Sequence, residues 1–106
     1  MTDRELLELA AKAAGYKFVF DYDENLQGPC IIDSEGFPKQ WNPLEDDGDG
    51  ARMEEALKMN VIWMKYSVRV GGCKEYFSDH NGDCQKARRR ASVRAAASQI
   101  TGANHD

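Results

Sequence analysis

Four groups of side chains have the residue types to carry chemistry, and each implies a different one. The run Glu45-Asp46-Asp47-Gly48-Asp49-Gly50 invites calcium. An EF-hand loop begun at Glu45 puts Asp47, Asp49 and Gly50 at the third, fifth and sixth positions, but its twelfth is Ala56, where a bidentate Glu is needed. Its first residue is also Glu in place of Asp. An acid-rich helix start explains the run better, because carboxylates suit the positive end of a helix. Zinc is the second chemistry, through Cys73, His80 and Cys84 with Cys30 as a fourth ligand. Structural zinc sites are built from tighter Cys pairs than these. Scattered thiols in a reducing compartment read as small core residues. No metal and no cofactor is therefore expected.

Nucleophilic catalysis has only His80 to work with, since His105 lies at the extreme end of the chain. No GxGxxG, GxxxxGK[ST] or HExxH pattern is present. An enzyme is not expected. The basic stretch is more informative. Lys86, Arg90 and Arg94 recur every four residues, flanked by Arg88 and Arg89, with Ala87, Ala91, Ala95 and Ser98 on the opposite side. Arginine forks bind phosphate bidentately, so the stripe suits an anion site; the plainer reading is a solvated helix face or a set of ion pairs. Trp41 and Trp63 serve either as core residues or as stacking surfaces for a base. The candidate ligand-binding residues are Trp41, Asn42, Arg52, Trp63, Arg90 and Arg94.

The elements that must position these groups can be read from periodicity. Thr2 and Glu5 have capping-box spacing, and Leu6, Leu7, Leu9, Ala10, Ala13 and Ala14 follow as a helical stripe ending at Gly15. This predicts a helix over 3–14. Alternation then predicts three short antiparallel strands around Phe18–Tyr22, Cys30–Ile32 and Phe37–Trp41. A second helix is expected over 47–58. Residues 61–70 alternate without a break, with Ile62, Met64, Tyr66, Val68 and Val70 on one side, which predicts a single long strand. Gly71-Gly72 is a hairpin signal and Cys73–Phe77 the return strand. Asp83 can cap a final helix over 84–101. The expected fold is α+β, a two-layer sandwich of antiparallel sheet with helices on one face, in the order α-β-β-β-α-β-β-α. One domain spans 1–102, and 103–106 form a disordered tail.

Composition limits the alternatives. The chain has 106 residues, 42% hydrophobic and 30% charged, which is ordinary for a small globular domain. No apolar run approaches a membrane span, and the acidic start lacks the features of a signal peptide. Residues 1–60 carry 14 acids against 6 bases, and 61–106 carry 4 against 8, giving −4 for the whole. An acidic half beside a basic half suits self-association or an anionic partner. With an Ala-lined final helix it leads us to expect a homo-oligomer, most simply a dimer.

Three blocks carry a family resemblance: Met1 to Gly15, the segment Trp41-Asn42-Pro43-Leu44-Glu45-Asp46-Asp47-Gly48-Asp49, and Arg88-Arg89-Arg90-Ala91-Ser92-Val93-Arg94-Ala95-Ala96-Ala97. The chain resembles a widespread group of small proteins encoded by tailed bacteriophages and prophages, with a WNPLxDDGD motif and an RRAxVRAAAxxxG-type final helix. It departs from the group at Gly50-Ala51-Arg52, where the family tends to read Ala-Leu-Arg. The resemblance implies a phage origin and a life in the host cytoplasm, and it brings no activity or catalytic residue with it. By analogy with small phage proteins lacking enzyme signatures, an anti-defence role is expected: sequestering a nucleotide-type immune signal. Two alternatives stand beside it. One is an inhibitor that covers a host defence protein, its acidic half imitating nucleic acid; the other is a small DNA-associated regulator. On the first reading Arg90, Arg94 and Arg52 hold phosphate, Trp41 stacks on the base and Asn42 reads its edge.

Overall fold

The computed structural model describes residues 1–101, so the expected tail over 103–106 lies outside the described residues. The elements are α1 (Asp3–Ala13), β1 (Lys17–Phe20), β2 (Pro29–Ile32), β3 (Pro38–Gln40), α2 (Asp47–Ala56), β4 (Val61–Trp63), β5 (Ser67–Val70), β6 (Cys73–Tyr76), a 3₁₀ turn (Phe77–His80) and α3 (Cys84–Thr101). The fold is a single α+β domain of antiparallel strands and three helices. Its strands divide into two sheets of three, β1-β2-β3 and β4-β5-β6, where one sheet was expected.

Local chemistry sets the helix ends. Thr2 and Glu5 close a reciprocal capping box on α1. At the other end Tyr16 N–H donates to Ala11 O and Gly15 N–H to Lys12 O, a Schellman motif that Gly15 makes possible with φ +82°. Asp46 caps α2 through Asp49 N–H at 2.8 Å. Asp83 caps α3, its carboxylate accepting from Lys86 N–H at 3.0 Å. That amide bond, ahead of the nearby Arg89 and Lys86 charges, holds the Asp83 carboxyl below its ordinary range. A depressed folded value stabilises the protein above the unfolded value and loses that contribution as pH falls through the folded one. Asp83→Asn is therefore expected to flatten the acid limb of stability, read by urea melts between about pH 5 and pH 2. An unchanged limb contradicts the cap.

The expected strand over 61–70 is two strands. Met64 N–H donates to Ser67 O at 2.9 Å, closing a hairpin whose tip is Lys65-Tyr66. Trp63 then faces Val68, and Val61 faces Val70. A ten-residue strand would run about 33 Å, longer than the roughly 27 Å of α3. Folding back keeps Val68 and Val70 over Ala87, Ala91 and Ala95 of α3. The reversal also breaks the shared apolar face read from sequence, since Ile62, Met64 and Tyr66 are exposed while Val68 and Val70 are buried. Gly71 and Gly72 turn β5 into β6 with φ +56° and +97°, and a Cβ on Gly71 would stand 3.1 Å from Ala95 Cβ.

α3 is buried on two sides. Ala87, Ala91 and Ala95 meet the second sheet, while Val93, Ala96 and Ala97 join Leu6, Leu7, Ala10, Trp41 and Met53 in the main core. The alanine surface considered for pairing between copies is thus occupied within the chain. Glu54 of α2 is only 6% exposed and accepts from Arg88 and from the buried Ser92 hydroxyl, tying α2 to α3. Among the described residues no helix is long and apolar enough to cross a membrane.

Candidate functional site

A binding-sized space adjoining two sequence candidates, Trp41 and Arg52, lies beside the first sheet. Tyr16, Lys17, Lys39, Trp41, Arg52 and Asp33 are among the residues lining a cavity of about 500 Å³, within the range of small-molecule sites. The Schellman turn places Tyr16 and Lys17 at its rim, β3 supplies Lys39, and the first turns of α2 supply Arg52. Lys17 and Lys39 have no ion-pair partner among the described residues. Asp33 is occupied as the acceptor of Glu35 and Phe37 N–H, both at 2.9 Å, in the β2–β3 turn. Arg52 pairs with Asp49 at 2.6 Å and is otherwise 60% exposed at its side chain. The lining therefore brings Lys17, Lys39 and Arg52 beside one carboxylate already held by backbone amides, with Lys17 and Lys39 on opposite faces of the first sheet by the strand register and the Arg52 charge met by Asp49. It can take a small anion with an apolar ring.

Trp41 and Arg52 meet at this cavity, but the indole does not serve as a stacking face. Trp41 is 2% exposed, with Tyr16 and Phe18 set edgewise on it at 5.7 and 6.5 Å between ring centroids. It forms part of the wall, and Tyr16, only partly buried, is the aromatic available to a ligand. Asn42 is corrected too. Its N–H donates to Asp49 Oδ2 at 3.0 Å and its Oδ1 accepts from Leu44 N–H at 3.1 Å, so it builds the start of α2. The space that it borders also has Glu45, Asp46 and Asp49 in its lining, an unfavourable field for a phosphate.

Comparison with protein-family models, curated proteins and solved structures gives no match.

The arginines of α3 are not brought to this cavity as free cations. Arg90 pairs with Asp3 at 2.6 Å, Arg89 with Asp47 at 2.7 Å, Arg88 with Glu54, and Arg94 with Glu75. Arg94 also donates to Lys74 O at 3.1 Å, and His80 Nε2 meets the second Glu75 oxygen at 2.8 Å. The space bordered by Arg90 and Arg94 is about 210 Å³, small for a nucleotide. Replacing these arginines then removes contacts where relief of repulsion was expected. Arg94→Ala should cost about 2 kcal/mol, because it leaves the partly buried Glu75 with only His80. Arg90→Ala should cost under about 0.5 kcal/mol, its pair with Asp3 being solvent-exposed. Thermal melts of the two single variants check the ordering; equal effects contradict it.

Trp63 stands apart, 47% exposed and tilted against Phe77 at 6.2 Å in the second sheet. The acids of residues 45–49 cap and pair within the fold. Among the described residues no three His, Cys, Asp or Glu side chains are grouped so as to hold a metal. Cys30 and Cys73 are buried, and Cys84 is exposed.

Tyr16, Lys17 and Lys39 were not found from sequence. Strand lysines alternating with apolar residues read as a solvated face, and no spacing rule brings residues 17, 39 and 52 together. Only the packing of α2 beside the first sheet does so.

Proposed function

We propose that this protein is a non-catalytic phage accessory protein that sequesters a small nucleotide-type signal in the cavity beside the first sheet. The observation that carries the reading is that Lys17 and Lys39, neither with an ion-pair partner among the described residues, border one space of about 500 Å³ together with Tyr16 and Arg52. Lysines and an arginine hold phosphate oxygens. Tyr16 offers a ring to a base. The phage origin rests on the three sequence blocks, and a sponge for a host signal would act in the host cytoplasm. The ligand site differs from the one expected at Arg90 and Arg94: it rests first on Lys17 and Lys39, while Arg52, its charge met by Asp49 as those of Arg90 and Arg94 are met by Asp3 and Glu75, contributes less.

A thermal-shift panel of cyclic mononucleotides and cyclic dinucleotides tests the reading. A ligand present at 100 times its Kd adds about 2.7 kcal/mol, a rise of roughly 13 °C for a domain of this size. At least one member is expected to produce a rise of that order. A flat panel at millimolar ligand contradicts the reading.

A further inference from the structure

The outer face of the second sheet presents an arrangement that folding alone does not favour. Alternation across the β4-β5-β6 register sets Ile62, Arg69 and Lys74 in one row, with Tyr76 two residues beyond Lys74. The opposite face carries Val68, Val70 and Cys73 against α3. Arg69 and Lys74 are direct cross-strand partners. Like charges directly opposite each other destabilise a sheet. Among the described residues neither has a carboxylate partner, whereas Arg88, Arg89, Arg90 and Arg94 of α3 each have one. The only acid in these three strands, Glu75, lies on the other face and is taken by Arg94 and His80.

Aromatic rings stand beside these cations. Lys74 Nζ lies 5.6 Å from the Tyr76 ring centroid, and at the hairpin tip Lys65 Nζ lies 5.3 Å from that of Tyr66. Ile62 and Tyr76 are about half exposed, and Tyr66 is 68% exposed. A partner that fits must bring negative charge to Arg69 and Lys74 and a flat ring to Tyr76. Single-stranded nucleic acid brings both, because its bases expose π-faces along a phosphate backbone. A duplex keeps its base faces stacked within itself, and an acidic peptide uses the cations but leaves Tyr76 idle. We infer that the outer face of the second sheet binds a short stretch of single-stranded nucleic acid, phosphates on Arg69 and Lys74 and a base on Tyr76. This site is separate from the cavity beside the first sheet, with which it shares no residue.

The test is fluorescence anisotropy of the full chain with a labelled single-stranded oligonucleotide of about twelve nucleotides, at about 50 and 200 mM salt. Saturable binding that weakens at the higher salt is expected. Arg69→Ser/Lys74→Ser should lower affinity at least roughly tenfold while leaving the melting temperature unchanged or raised, since a like-charge pair is removed. Tyr76→Ala should also weaken binding. Lys17→Ala/Lys39→Ala should leave oligonucleotide binding intact, so failure at one site is told apart from failure at the other. No binding at the lower salt with about 100 μM protein overturns the inference. So does a double variant that binds like wild type, or competition by duplex DNA or polyglutamate as strong as by the single strand.

Discussion

Glu54→Ala is expected to lower the melting temperature by roughly 15 °C, from a loss of about 3 kcal/mol. Glu54 is 6% exposed and meets two donors at once, the Arg88 guanidinium and the Ser92 hydroxyl. Its removal leaves Ser92, fully buried, without an acceptor and Arg88 as a partly buried charge facing a gap. Breaking one side of a buried pair costs more than the pair contributes, because the remaining group keeps its desolvation penalty. Ser92→Ala removes one donor from the same carboxylate and should cost about 1 kcal/mol. Urea melts of the two variants check the ordering; a Glu54→Ala protein as stable as wild type contradicts the role given to this contact.

Trp41→Ala should have the largest effect, a loss of about 4 kcal/mol from a total that for a small domain is roughly 5–15 kcal/mol. The indole is the largest fully buried side chain and joins α1, the first sheet and α2 through Tyr16, Phe18 and Met53. Trp41→Phe keeps a ring at the position and should cost about half as much. Circular dichroism melts measure both. If Trp41→Ala keeps the wild-type stability, the indole is not the core anchor described here.

What could be read from residue order follows from the range of the interactions that fix it. The capping box of Thr2 and Glu5, the break at Gly15 and the start of α3 at Asp83 depend on neighbours within one helical turn. The expected bounds of α3, 84–101, match the structure. The hairpin tip at Lys65-Tyr66 was not legible, because its residues carry none of the Gly, Asn or Asp chemistry that marks tight turns. Its reversal is instead dictated by the packing of Val68 and Val70 on α3. The α3 arginines show the same boundary: their periodic stripe was visible, but the acids that meet them come from residues 3, 47, 54 and 75 of other elements. Of the candidate site, Arg52 and Trp41 were named from sequence, Trp41 as a stacking face where the structure makes it part of the wall, while Lys17 and Lys39 required the tertiary fold.

Isothermal titration of wild type and of Lys17→Ala/Lys39→Ala with cyclic AMP and cyclic di-AMP tests the central claim most directly. Neither lysine has an ion-pair partner among the described residues and both are exposed, so the double variant should keep its fold. Wild type is expected to bind at least one of the two with a Kd of about 1 μM or tighter. The variant should lose at least roughly tenfold while melting within about 2 °C of wild type. Absence of binding heat with either nucleotide, or equal binding by wild type and variant, contradicts a nucleotide sponge built on this cavity.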